Sequence, residues 1–150
     1  MRTVMRGIIY PALVGFIVFS AGCKSPNLGL DNNALKSCPN SPNCVSSMAE
    51  DPAHHVEAFQ YEGTAEDAKK RLVSIIESTK RARIITSKSN YIHAEFTSLI
   101  FRFVDDVEFY FDARKPVIHV RSASRVGYSD LGVNRKRIEK IREQFNSFSW

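Results

Sequence analysis

The chain has 150 residues, of which 43% are apolar and 25% are charged, and its formal net charge is +5. These values are near the averages for globular proteins and indicate one domain without low-complexity tracts. The charge is too mild for a nucleic-acid-binding protein, so we expect no nucleic-acid partner.

The N-terminal segment has the pattern of an export signal. Arg2 and Arg6 give a positive start, residues 7–19 are apolar, and residues 20–22 are small. The apolar run is shorter than the about 20 residues that a membrane-spanning helix needs. The pattern therefore predicts a signal peptide over residues 1–22.

The residues Ser20-Ala21-Gly22-Cys23 resemble a bacterial lipobox. The resemblance implies that Cys23 is acylated and becomes the N-terminus of a protein that two acyl chains anchor to the membrane. Lys24 stands where an Asp would resemble the inner-membrane retention signal of enteric bacteria, so the outer membrane, facing the periplasm, is favoured. An ordinary secretory signal with Cys23 as a spare thiol is the alternative.

Cys38 and Cys44 are the other two of the three cysteines, and lipidation of Cys23 leaves them as an even pair. In an oxidising compartment this pair predicts a disulfide across a loop rich in Pro and Asn. Zinc binding together with His54 and His55 is an alternative, but the cysteine spacing exceeds the roughly two to four residues of usual zinc motifs. We expect no metal site.

Residues 23–37 are polar, rich in Asn and Ser, and lack periodicity, which predicts a flexible tether. Residues 38–150 are predicted to form a single domain. No internal repeat or second domain is visible in the sequence.

Hydrophobic periodicity predicts two helices and about five strands. Thr64 is a favourable N-cap for a helix that ends near residue 78, and a second helix is expected over residues 134–146. Residues 99–104 form an apolar run that Asp105 and Asp106 interrupt. Short hairpin connections make the sheet antiparallel, and the order β-α-β-β-β-β-α predicts an α+β two-layer sandwich with both helices on one face. The predicted strands cover residues 56–61, 83–87, 91–96, 107–112 and 117–122.

Polar side chains that could converge are concentrated between the last predicted strand and the last helix, with two aspartates nearby. One interpretation is a pocket in which arginines bind a carboxylate or phosphate, assisted by the first amides of the last helix. The other is a structural latch in which the aspartates neutralise the arginines. The candidate residues are Asp105, Asp106, Arg121, Ser124, Arg125, Ser129, Asp130, Arg135 and Arg137.

The sequence contains no Gly-x-Ser-x-Gly, His-Glu-x-x-His, Walker or dinucleotide-binding motif. We therefore assign no catalytic residue and no cofactor. A hydrolase that uses Ser124 or Ser129 with His119 is an alternative. A carrier of an apolar or lipid-like ligand is another, although the predicted sheet core includes Phe96, Phe101, Phe103, Phe109 and Phe111.

Three ordered motifs resemble those of domain-of-unknown-function family 1499 (DUF1499). The opening motif runs from Cys38-Pro39 to Asn43-Cys44-Val45-Ser46-Ser47, the central motif is Asp105-Asp106-Val107-Glu108-Phe109, and the closing motif covers residues 120–137, beginning Val120-Arg121-Ser122. The resemblance spans residues 38–145. It implies a bacterial envelope, lipoprotein-like or plastid protein without an agreed activity, and it carries over no catalytic residue.

These observations lead to one functional expectation. We expect a lipid-anchored protein of the cell envelope that acts as a non-catalytic binding or envelope-assembly module. Its partner is expected to be another envelope protein or an anionic small ligand, in addition to the membrane that holds its N-terminal lipid.

Overall fold

The structure is a computed structural model and describes residues 27–147. The predicted signal peptide and Cys23 lie outside the described residues. The described elements, in chain order, are β1 (Leu30–Asp31), β2 (Ala34–Leu35), β3 (Cys44–Ser46), β4 (Phe59–Gln60), α1 (Ala65–Ser78), β5 (Ala82–Lys88), β6 (Tyr91–Thr97), β7 (Val104–Phe111), β8 (Val117–Ser124) and α2 (Val133–Asn146).

Six strands form one antiparallel sheet in which β8, β7, β6 and β5 are successive neighbours. Both β3 and β4 pair with β8, and they share its outer edge: β3 pairs with the C-terminal part and β4 with the N-terminal part. The α+β class expected from the sequence is confirmed, and the sheet has one strand more than expected.

The two longer loops of the second half of the domain lie at the same end of the sheet. Thr97 pairs with Val104, so the end of β6 lies beside the start of β7 and the end of β8. The β6–β7 loop (residues 98–103) and the β8–α2 loop (residues 125–132) both leave the sheet here. We call this the loop end.

Both helices pack on one face of the sheet and contact each other. α1 begins where the Thr64 hydroxyl accepts a hydrogen bond from the Asp67 amide at 3.1 Å, as the capping pattern predicts. α2 begins where the Asp130 carboxylate accepts hydrogen bonds from the amides of Gly132 and Asn134. Neither helix within residues 27–147 combines the length and the apolar character that a membrane span requires.

The core between the sheet and the helices is filled by apolar side chains. The buried Phe59 ring contacts two others, with ring centroids 6.0 Å from Phe109 and 5.7 Å from Phe145. A carrier of an apolar ligand needs space in this region, and these contacts occupy it. The fully buried aliphatic side chains around the rings are Leu72, Ile92, Val107, Ile118, Val120 and Ile138.

Part of the predicted tether is an ordered hairpin that packs on the sheet. β1 and β2 are joined by Asn32 and Asn33, whose φ angles of 48° and 59° are those of a tight hairpin turn. Leu35 is buried against Tyr91 and Tyr110 on the sheet face opposite the helices, which we call the open face. Strands of two residues give no periodicity, so the sequence did not reveal them.

β7 continues through Asp105 and Asp106, which the sequence analysis placed in a break between strands. Residues 98–103 form a loop, and the phenylalanines at its tip are exposed: Phe101 by 72% and Phe103 by 51%. Their assignment to the core was wrong. The other three members of the predicted aromatic core are buried: Phe96, Phe109 and Phe111.

Candidate functional site

The two adjacent aspartates of β7 face opposite sides of the sheet, because side chains alternate along a strand. Asp105 faces the helices and forms an ion pair with Arg137, whose guanidinium also lies 5.2 Å from the Phe96 ring centroid. Asp106 lies on the open face and pairs with Arg125. The nine candidate residues therefore divide between two faces and do not line one pocket.

Asn134 joins the first turn of α2 to the end of β8. Its fully buried side-chain oxygen accepts hydrogen bonds from the Ser122 hydroxyl at 2.5 Å and from Arg137 at 2.6 Å. Its amide nitrogen donates to the Asn43 carbonyl at 2.9 Å and to the Ser124 hydroxyl at 3.0 Å. These bonds satisfy a buried polar group and connect three elements, so Asn134 and Ser124 serve the fold.

Arg125 connects two carboxylates on the open face. Its guanidinium donates to both oxygens of Asp106, at 2.9 and 2.7 Å, and to Glu95. His93 lies 2.7 Å from Asp106, and Arg83 lies 3.0 Å from Glu95. The bonds to Asp106 raise the pKa of Arg125; for Glu95, burial opposes ionisation, but the bonds from Arg125 and Arg83 lower the pKa. The charges of this network therefore neutralise one another.

Glu108 is fully buried on the open face, and sequence reasoning missed it. Its carboxylate accepts hydrogen bonds from Arg121 at 2.8 Å, from the Tyr91 hydroxyl at 2.7 Å and from the Gly29 amide at 2.6 Å. Burial, followed by the bond to Glu108, raises the pKa of Tyr91. Buried charges are stable only with partners of this kind, so Arg121 and Glu108 form a structural pair under the N-terminal hairpin.

The remaining candidates bind backbone groups. Asp130 accepts hydrogen bonds from the amides of Gly132 and Asn134, at the start of α2, at 2.9 and 2.7 Å. It therefore occupies the position at which the pocket interpretation placed a bound anion. Ser129 accepts a backbone amide two residues further on. Arg135 donates to the carbonyls of Ala53 and His55. All four candidate arginines are thus engaged by carboxylates or carbonyl groups.

His119 does not contact either of the serines proposed for a hydrolase. It lies on the open face, whereas Ser124 faces the helices. The imidazole is 3.3 Å from the Ser47 hydroxyl and 3.9 Å from an Asp112 carboxylate oxygen. Burial lowers the pKa of His119, which favours its neutral form. The distance between histidine and carboxylate exceeds that of a hydrogen bond, so these groups form no proton relay.

Cys38 and Cys44 form the predicted disulfide, with Cα atoms 5.7 Å apart. Because both sulfur atoms belong to this bond, neither is available as a zinc ligand. His54 instead lies 2.9 Å from Asp51, and within residues 27–147 no three potential metal ligands come together. The disulfide holds the loop that leads into β3.

A groove of about 390 Å³ lies at the loop end, bounded by the turn after α1, the end of β6 and α2. We call it the basic groove. The turn contributes Lys80 and Arg81, and Thr97 fixes Arg81 by a backbone hydrogen bond of 3.0 Å and a side-chain bond of 3.2 Å. α2 contributes one helical stripe, which consists of Val133, Lys136, Arg137, Lys140, Ile141 and Gln144.

Among residues 27–147, no carboxylate lines the basic groove. Arg137 is neutralised by Asp105, but the other four cations have no carboxylate partner within the described chain: Lys80, Arg81, Lys136 and Lys140. Gathered like charges without counter-ions attract an anion. Sequence reasoning missed this site because only the fold brings residues 80–81 beside residues 136–140.

Comparison with known proteins identifies a family. No curated protein and no solved structure matches the chain. A family model described as a protein of unknown function (DUF1499) matches residues 34–145. This range contains the six-stranded sheet, the disulfide and every residue that lines the basic groove. The chain therefore belongs to the DUF1499 family.

Proposed function

We propose that this chain is a lipid-anchored protein of the bacterial cell envelope whose domain binds an anionic ligand in the basic groove and catalyses no reaction. The observation that carries the proposal is the groove itself, in which four cations have no carboxylate partner among residues 27–147. Support for the anchor and for the envelope location comes from the signal-like residues 1–22 and from the lipobox-like sequence that ends at Cys23.

The groove has the chemistry of a moderate-affinity anion site. Hydrogen bonds to charged groups contribute about 1.5–3 kcal/mol each, so two or three of them give a dissociation constant of roughly millimolar to micromolar. Three of the four cations are lysines, which bind phosphate as point charges rather than in a fixed bidentate geometry. The groove is therefore expected to select for negative charge more than for ligand shape.

The other functions considered have less support. A carrier needs an apolar cavity, and Phe59, Phe109 and Phe145 fill the region between the sheet and the helices. A hydrolase needs a base that is aligned by a carboxylate, and His119 is 3.9 Å from Asp112. The arginine cluster of the closing motif is an inferior anion site, because its charges are already paired.

Cell fractionation tests the anchor. Residues 1–22 are replaced by an ordinary secretory signal in a chain that also carries Cys23→Ala. The variant should leave the membrane fraction after a high-salt wash, whereas the unmodified protein should remain until detergent is added. If the variant instead remained on washed membranes until detergent was added, as the unmodified protein does, Cys23 would not be the anchor.

Isothermal titration calorimetry with inorganic pyrophosphate tests the groove. The double variant Lys136→Ala/Lys140→Ala should bind pyrophosphate at least about tenfold more weakly, because it loses two of the four unpaired cations. The matched control, Lys88→Ala/Lys115→Ala, removes the same charge at the opposite end of the sheet. Equal weakening in both variants, or no binding by the unmodified chain, would exclude the basic groove as the site.

A further inference from the structure

We propose that the loop end docks onto an anionic phospholipid bilayer, with the tips of its two loops among the lipids and the basic groove against the headgroups. This inference rests on the lipid anchor of the proposed function. It adds a second, non-covalent contact that orients the domain on the membrane.

Exposed apolar side chains are concentrated at the loop end. Of the nine large apolar side chains exposed within residues 27–147, eight belong to the two loops or to the first residue of α2. Monomeric soluble proteins rarely expose a contiguous apolar patch unless it binds something. The β6–β7 loop contributes Leu99, Ile100, Phe101 and Phe103, with exposures between 51% and 77%. The second group is Val126, Tyr128, Leu131 and Val133.

The β6–β7 loop presents these side chains on a fixed backbone. The Ser98 amide donates to the Phe103 carbonyl at 2.8 Å, and the Phe103 amide donates to the Ser98 hydroxyl at 2.9 Å. The rings of Phe101 and Phe103 stack with centroids 5.5 Å apart. The Arg125 amide donates to the Val104 carbonyl at 3.2 Å, which joins the second loop to the root of the first. The two loops therefore form one surface.

The charge of this surface fits an anionic bilayer. The one acidic residue of the two loops is Asp130, and both of its oxygens accept backbone amides. Arg102 stands among the exposed phenylalanines, and the basic groove begins at Ser98 and Val133, directly beside the loops. Apolar side chains flanked by cations are typical of proteins that lie in the membrane interface.

The N-terminal end of the described chain also lies at the loop end. This position favours a bilayer over a protein as the partner of the loops. Asn27 lines a cavity of about 210 Å³ together with Ser124 and Arg125, at the end of β8. Cys23 is four residues before Asn27, a distance of at most about 14 Å in an extended chain. A lipid on Cys23 would therefore hold the loop end near the bilayer, while the opposite end of the sheet lies about 25 Å further away.

Vesicle flotation tests the inference with a chain that begins at Lys24, which retains every described element and contact and lacks both the signal and Cys23. It should float with vesicles of phosphatidylcholine and phosphatidylglycerol, and less at high salt. The variant Ile100→Asp/Phe101→Asp should lower the partition coefficient at least about tenfold. Lys136→Glu should lower it several-fold, whereas Lys115→Glu should not.

Ile85→Asp is the matched apolar control, since Ile85 is the ninth exposed apolar side chain and lies on β5 away from the loops. It should bind vesicles as the unmodified chain does. Equal binding to pure phosphatidylcholine, equal losses in both aspartate variants, or self-association through the loops in place of flotation would overturn the inference. Because Ile100 and Phe101 do not line the basic groove, a chain that binds pyrophosphate but no vesicles refutes only the membrane contact.

Discussion

Two cationic regions of this domain differ in what surrounds them. In the first, the arginine–carboxylate network, Arg121, Arg125 and Arg137 each contact a carboxylate of β7. In the basic groove, Lys136 and Lys140 belong to the same helix as Arg137 but have no carboxylate partner among the described residues. The first region stabilises the fold, and the second is available to a ligand.

The comparison shows that a high density of polar residues does not by itself leave charged groups available to a ligand. The arginine–carboxylate network has more arginines, but the carboxylates of β7 supply the opposite charges. The basic groove has fewer kinds of charged group: the cations on its α2 stripe that lack a carboxylate partner among residues 27–147 are exposed lysines. Substitutions in the first region should therefore change stability, and substitutions in the second should change binding.

The largest stability effect is expected when Arg121→Met leaves the buried carboxyl group of Glu108 without its cationic partner. Such a change typically costs about 3–5 kcal/mol of the free energy of unfolding. Urea denaturation measures it, with Lys136→Met as a control that should stay within about 0.5 kcal/mol of the unmodified protein. The double variant Glu108→Gln/Arg121→Met should recover part of the loss. A loss below about 1 kcal/mol in Arg121→Met would show that the pair is not structural.

The next effect concerns the hydrogen bonds of Asn134. Asn134→Ala removes the partners of Ser122, Ser124 and the Asn43 carbonyl in a buried position. We expect a loss of about 2–3 kcal/mol in denaturant unfolding, because buried polar groups remain unsatisfied. Ser129→Ala, in the exposed part of the same motif, serves as the control and should be nearly neutral. Comparable losses in the two variants would show that the hydrogen bonds of Asn134 do not stabilise the contact between α2 and β8.

The disulfide should contribute about 2 kcal/mol, since it closes a short loop. The variant Cys38→Ser/Cys44→Ser should lower the denaturation midpoint, and reduction of the unmodified protein should give the same midpoint. Pyrophosphate affinity should not change, because neither cysteine lines the basic groove. Ready labelling of both thiols in the native exported protein would argue against the bond.

The smallest effect distinguishes His54, which is hydrogen-bonded to a carboxylate, from His119, whose nearest carboxylate oxygen is 3.9 Å away. The bond with Asp51 raises the pKa of His54 above its ordinary 6.5, and burial lowers that of His119 below it. The contribution of His54 is therefore complete below pH 6.5 and is lost as the pH rises through its folded-state pKa. For His119, stability is lost as the pH falls from 6.5 towards the lowered pKa.

Imidazole NMR titration measures both values in one experiment. Asp51→Asn should return the pKa of His54 towards 6.5 and leave that of His119 unchanged. His119 titrating above His54 in the unmodified protein would refute the assignment of the two environments.

Much of the fold could be predicted from the sequence because its long elements are periodic. α1 and α2 each cover 14 residues with one buried stripe, and Thr64 marks the first of them. The strands β1, β2 and β3 have two or three residues each, too few for a pattern, whereas β4 lies within the strand predicted over residues 56–61. β7 was predicted to start too late because two consecutive aspartates resemble a break, whereas each aspartate finds an arginine on its own face of the sheet.

The site could be predicted only in part. The sequence allowed two interpretations of the Arg–Asp cluster, a pocket and a structural latch, but it could not show which side chains pair. Glu108 was missed because alternation assigns it to a polar face and cannot reveal that the N-terminal hairpin covers that face. The basic groove was missed because Lys80 and Lys136 are distant in the sequence and meet only after α1, β6 and α2 pack together.

Amide chemical-shift mapping of a pyrophosphate titration tests most directly whether the anion binds in the basic groove. The shifts should concentrate in residues 79–81, 97–98 and 133–144, and in Lys136→Ala/Lys140→Ala they should need at least about tenfold more pyrophosphate. Shifts centred on Arg121, Ser124 and Arg125, unchanged in that variant, would contradict it and would show that the paired region is the binding site.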